Sequence, residues 1–144
     1  MLKNRGQTVV VLGSALWCLA IVAAPALGLP WIYAFFSRIC HQDPARSWPL
    51  FGSQLPVCIR CTSIYFGFFI ASLFALKPRP QLLKWAGGVT LAEWVIALLI
   101  VDSVVFRSLS GLVLGASAAP FVRIGIEEML QKREWKGREV RASL

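Results

Sequence analysis

Four apolar stretches of about 20 residues, separated by short polar connections, constrain this chain more than any other feature. They run over about 8–29, 56–76, 83–106 and 109–129. Each approaches the ~20 residues that a helix needs to cross ~30 Å of hydrocarbon. Backbone groups in lipid must be satisfied within the segment, so such stretches are helices rather than open strands. A chain that is 57% hydrophobic over 144 residues fits the same class. The expected fold is therefore all-α: an integral membrane four-helix bundle in a single domain, ending in a basic tail over 130–144.

The net charge of +8 could suggest a nucleic-acid binder. The basic residues instead sit at the ends of apolar runs, as topology signals do, and nucleic acid is excluded as a partner on that ground. Lys3 and Arg5 precede the first stretch. Lys77, Arg79 and Lys84 fill the second connection, and Lys132, Arg133, Lys136, Arg138 and Arg141 crowd the tail. The positive-inside rule puts these three regions, and so both termini, in the cytoplasm. The loop between the first two stretches then faces outward, with Trp31 and Trp48 near that interface and Trp85 and Trp135 near the inner one. The basic start and the run Val22-Ala23-Ala24-Pro25-Ala26 also resemble a signal peptide. Cleavage there would leave three spans without moving the loop to the other side.

The outward loop concentrates the chemistry. Cys40, His41, Cys58 and Cys61 comprise three of the four cysteines and the lone histidine. A structural zinc site usually has four such ligands, and the Cys58-x-x-Cys61 gap lets both sulfurs turn toward one ion. Zinc or another transition metal is the expected cofactor. If only one of Cys40 and His41 binds, a position stays open for water or substrate. No clear general base accompanies the ligands. The same thiols also suit a redox centre, with Cys58 in the first turn of a helix where the dipole favours thiolate, and with quinone as electron acceptor. A Cys58–Cys61 structural disulfide or uninvolved thiols are the plain alternative. Cys18 reads as a packing residue.

A short interfacial helix is expected over Trp31 to Ile39, and Pro56 is placed to start the second membrane helix. Gln42, Arg46, Arg60 and Tyr65 flank the cysteines. They could orient ligands, bind an anionic headgroup, or form an ordinary polar interface. Glu93 and Asp102 lie within the third stretch, where carboxylates are costly. Glu93 is expected to pair with Arg123, as a packing salt bridge or, less simply, as part of a proton or ion relay; Asp102 is expected near Arg107 or water. Gly111-x-x-x-Gly115 allows close helix approach, within the bundle or in a homodimer. The partners expected are the lipid bilayer and a possible homo-oligomer or membrane partner. A non-enzymatic interaction subunit whose basic tail binds acidic lipid is a further reading.

The pattern Cys40-His41-Gln42-x-Pro44-x-Arg46-Ser47, then Pro56-Val57-Cys58-x-Arg60-Cys61-Thr62-x-x-Tyr65-x-Gly67, resembles the signature of a bacterial family of small membrane proteins, domain of unknown function 2085. Arg107-x-x-Ser110-Gly111-x-x-x-Gly115 is similar to its later motif. Glu93-Trp94 stands where that family carries an acidic residue followed by glycine. The resemblance implies a membrane protein, in the bacterial inner membrane, whose Cys/His motifs act together. It implies no activity.

Overall fold

The computed structural model describes residues 5–99 and 103–142; Asp102 and Lys3 lie outside them. Helix α1 spans Arg5–Leu27 and α2 spans Pro30–Phe36. A 3-10 turn over Pro44–Arg46 and a hairpin of β1 (Pro49–Leu50) and β2 (Ser53–Gln54) follow, then α3 (Ile59–Ser72), α4 (Pro80–Leu99) and α5 (Val104–Ala142). The hairpin is antiparallel, with Pro49 opposite Gln54 and Leu50 opposite Ser53. Its turn places Phe51 and Gly52 at positive φ, the geometry that two-residue hairpin loops need.

Prolines set several boundaries. Pro30 opens α2 and Pro80 opens α4, where a missing N–H costs nothing. Lys77-Pro78-Arg79-Pro80 prevents α3 and α4 from joining. The second expected span begins later than Pro56 suggested. Cys58 is extended (φ −68°, ψ 162°) and is the N-cap, and its N–H donates to Cys40 Sγ. The fourth stretch is longer than expected: α5 starts at Val104 and continues through Pro120 into the basic tail.

Among the described residues, two helices are long and apolar enough to cross a membrane: α1 and the Val104–Trp135 part of α5. Only 28% and 33% of their most apolar stretches are buried inside the protein. A core helix of a soluble protein would be mostly covered, so these surfaces suit lipid. Helix α3 is apolar but has 14 residues, about 21 Å at 1.5 Å per residue. A bundle of four full spans is thus supported at two of its helices.

The tightest packing is α3 on α5. A Cβ on Gly115 would strike the Ile64 carbonyl, one on Gly67 the Leu112 backbone, and one on Gly111 would lie 2.8 Å from the Arg60 carbonyl oxygen. The glycine pattern therefore brings two helices of one chain together. Across the bundle, Arg5 pairs with Glu134 at 3.1 Å, Gln7 Nε2 donates to the Ser72 carbonyl, and Arg123 Nη2 donates to the Leu76 carbonyl. The start of α1, the end of α3 and the latter part of α5 consequently share one end of the molecule. The cysteine loop occupies the other.

Candidate metal centre

The loop is held over the bundle by a small apolar core. Ile21 and Ala24 of α1, Ile32 and Phe36 of α2, and Cys40, Leu55 and Val57 of the loop form one buried cluster. Trp17 makes edge contacts with Phe36 and Tyr65, at ring centroids 5.3 and 5.7 Å apart. These contacts tie α1, α2 and α3 together beneath the cysteines. Removing α1 would strip Trp17, Ile21 and Ala24 from that floor.

Polar bonds then fix the loop. Gln42 adopts φ 50° and its Nε2 donates to the carbonyls of Tyr33 (2.7 Å) and Pro56 (2.8 Å). Gln54 Nε2 donates to the Gln42 carbonyl, and Tyr33 Oη donates to the Gln54 carbonyl at 2.6 Å. One side chain thus clamps the segment after Cys40 to the segment before Cys58. Asp43 caps the 3-10 turn by accepting from Ala45 N and lies 3.4 Å from Arg46 Nε.

This frame gathers Cys40, Cys58 and Cys61, whose Sγ atoms all lie within 4.8 Å of one another. Cys40 follows the end of α2, Cys58 caps α3, and Cys61 is the third residue of α3, in its first turn. The Cys58 N–H donates to Cys40 Sγ at 3.1 Å, a bond that stabilises negative charge on sulfur. Cys58 precedes the helix, and its thiol is held well below the ordinary range. The main cause is a side-chain hydrogen bond with Cys61, which outweighs the opposing effect of burial. All four cysteines are unbridged. Cys18 stands apart on α1, buried, with its thiol toward the Tyr65 carbonyl.

His41 does not join the group. Its backbone neighbour Cys40 is buried in the core cluster, while His41 is exposed and its ring nitrogens lie outside the group of sulfurs. Of the four expected ligands the structure brings the three sulfurs together, and it places His41 on the wall of an adjoining cavity. That cavity has a volume of about 360 Å³ and is lined by the three cysteines, His41, Arg46, Arg60 and Arg107, with Trp94 at its side. Tyr65 packs below the group rather than in the cavity.

The Glu93–Arg123 pair is also overturned. Glu93 Oε2 is 2.5 Å from Arg60 Nη2, and Oε1 is 3.9 Å from Arg107 Nε. Ser110 Oγ donates to the same carboxylate at 3.4 Å. Arg123 instead reaches Gln7 Oε1 and the Leu76 carbonyl. The reason is axial distance. Glu93 is six residues from the end of α4, about 9 Å, and Arg107 is three from the start of α5, whereas Arg123 is nineteen residues along α5, about 28 Å. Sequence reasoning missed Arg107 and Ser110 as partners, although their place just after the α4–α5 connection put them at the depth of Glu93.

Comparison with known proteins agrees on class and stops short of activity. An uncharacterised protein of Methanocaldococcus jannaschii is 45% identical over 42 residues, 29% of this chain and 27% of that protein. An uncharacterised protein of Methanothermobacter thermautotrophicus is 48% identical over 40 residues, 28% of this chain and 36% of that protein. The matches thus span little more than a third of these relatives at most. Both organisms are archaea, so the expected restriction to bacteria is not supported. No solved structure matches. The model of the predicted membrane protein family DUF2085 matches residues 40–121, from Cys40 through the cysteine loop into α5, and the chain belongs to that family.

Proposed function

We propose that this protein is a multi-pass membrane protein that holds one zinc or similar soft metal ion through Cys40, Cys58 and Cys61 at the outward end of its helices. The observation that carries the reading is the convergence of three sulfurs from two separate segments, with a backbone N–H already directed at one of them. Thiolates are the donors that zinc and other soft ions prefer. Gln42, which bridges the two segments, acts as an outer support of the ligands. Replacement of Cys58 or Cys61 by serine should remove copurifying metal, while His41→Ala should leave it in place. Metal retained in both serine variants would sink the reading.

The proposed orientation puts both termini and the α3–α4 connection in the cytoplasm. The basic residues concentrate there, and Arg5, Leu76 and Glu134 lie at one end of the bundle. The cysteine loop then faces the cell exterior.

A second reading has one specific support. The Cys58 and Cys61 sulfurs lie unbridged within 4.8 Å of each other, with the Cys58 thiol acidified, as in an asymmetric dithiol poised for exchange. Oxidation of that pair would release two electrons and two protons to a quinone, giving a disulfide and a quinol. Loss of metal binding with a Cys58–Cys61 disulfide that responds to quinone would favour it.

A further inference from the structure

Between α1, α3 and α5 lies a groove of about 490 Å³ in which the cysteines take no part. Val9, Gly13 and Trp17 of α1 line it together with Val122 and Ile126 of α5. The lining is almost wholly apolar, so Trp17 and Tyr65 meet the groove through carbon. Ser14, beside Gly13, spends its hydroxyl on the Val10 carbonyl at 2.7 Å and on Ser72 Oγ at 3.3 Å. The groove has room where a side chain is missing: a Cβ built on Gly13 meets nothing within 4 Å. Val9 and Val122 are 50% and 42% exposed, so it opens on the outer surface of the helices.

Its depth in the membrane follows from α1. Val9 and Trp17 are eight residues apart on that helix, about 12 Å. One leaflet supplies about 15 Å of hydrocarbon, half of the ~30 Å core. The groove starts near the end of the molecule marked by the Arg5–Glu134 and Gln7–Ser72 contacts and stops at Trp17, which packs on Phe36 and Tyr65. It therefore runs the depth of a single leaflet.

These features select the occupant. A polar group inside the groove would find no partner, and burying it so is costly. A second copy related by a two-fold axis would lay groove against groove and fill neither. A hydrocarbon chain is apolar along its whole length and gains dispersion contacts with both walls. At the groove's open end Arg5, Lys132 and Arg133 are exposed, at the level where a phosphate headgroup would stand.

We propose that the groove is a lipid site, holding one acyl chain of a phospholipid from the leaflet at the N-terminal end of α1, and that this chain is part of the packing of α1 on α5. The proposal rests on α1 crossing the membrane and is independent of the metal.

The test uses the full-length protein labelled with fluorotryptophan, in a steroid detergent that carries no long alkyl chain. Phosphatidylcholine spin-labelled at mid-chain is the probe. The Trp17 fluorine signal is the one missing from Trp17→Phe. It should broaden saturably, complete at about one lipid per chain, as a single site requires. Trp31 and Trp85, exposed and outside the groove, should broaden only in proportion to added lipid. Gly13→Leu fills the groove from α1 and Val122→Phe fills it from α5, and each should abolish the saturable step. Unlabelled lipid at about 100 times its Kd should raise the unfolding temperature of the parent protein by on the order of 10 °C and leave Gly13→Leu unmoved. Trp17 broadening that merely tracks Trp31 and Trp85 would mean bulk lipid and would overturn the site. A saturable step that survives both filling variants would put the chain elsewhere and overturn it as well. A Trp17 signal indifferent to lipid, in monomer or dimer, would also overturn it, and in a dimer would give the groove to a second copy. None of these outcomes bears on the metal reading, which is read from metal content.

Discussion

Replacing Glu93 by glutamine removes a carboxylate paired with Arg60 and near Arg107, while changing almost no volume. The exposures of the three side chains decide the size of the effect: 10% for Glu93, 20% for Arg60 and 5% for Arg107. Breaking a buried ion pair by deleting one partner costs about 3–5 kcal/mol, because a charge is left uncompensated away from water. Arg60 keeps some access to solvent, which points to the lower part of that range, about 3 kcal/mol. For a chain of this size that corresponds to a fall in unfolding temperature on the order of 10 °C. The assay is thermal unfolding in detergent of Glu93→Gln, Arg60→Gln, Arg123→Gln and the two double mutants that contain Glu93→Gln. Glu93→Gln with Arg60→Gln should be less damaging than the sum of its single changes, by more than about 1 kcal/mol, since removing the second charge cures the defect left by the first. Glu93→Gln with Arg123→Gln should be additive. Additivity with Arg60 and coupling with Arg123 would refute the ion-pair assignment.

Three other outcomes follow from the packing. Gly115→Ala should destabilise the α3–α5 contact by about 1–3 kcal/mol, because its Cβ meets the Ile64 carbonyl, whereas Gly87→Ala, with open space around the new Cβ, should gain a few tenths to about 1 kcal/mol; thermal unfolding separates them. Gln42→Asn keeps a residue tolerant of positive φ but cannot reach both the Tyr33 and Pro56 carbonyls, so metal affinity in a chelator competition should fall about 10- to 100-fold. Acidification should release the metal, since each sulfur binds as thiolate and protons compete for it, and a chelator-coupled dye should report more free ion as pH falls.

The membrane class was legible because it depends on long apolar runs, which need no knowledge of tertiary contacts. Two of those runs became helices with the expected apolarity, and the glycine pattern before Pro120 packed as a close helix contact. The cysteines were legible as a group because few residue types bind soft metals and these lay in one loop. Two kinds of information were not local. Whether Cys40 or His41 points inward depends on the backbone after α2, and the chain turns Cys40 into the Phe36 core and His41 outward. Which arginine meets Glu93 depends on where α4 and α5 end and begin. The expected stretches ended α4 seven residues too late and began α5 five too late, about 18 Å together, and that set Arg123 rather than Arg107 level with Glu93.

The central claim is that Cys40, Cys58 and Cys61 share one ion. Metal content and thiol state measured on the same sample test it most directly. The protein is purified without chelator, assayed for transition metals, alkylated under native conditions, and mapped by mass spectrometry. Cys18, buried on α1 away from the group, serves as the internal comparison. The account predicts about one ion per chain, with Cys40, Cys58 and Cys61 reduced, resistant to alkylation, and made reactive by chelator while Cys18 does not change. A metal-free protein, with Cys58 and Cys61 disulfide-bonded or all three thiols freely alkylated, would contradict it.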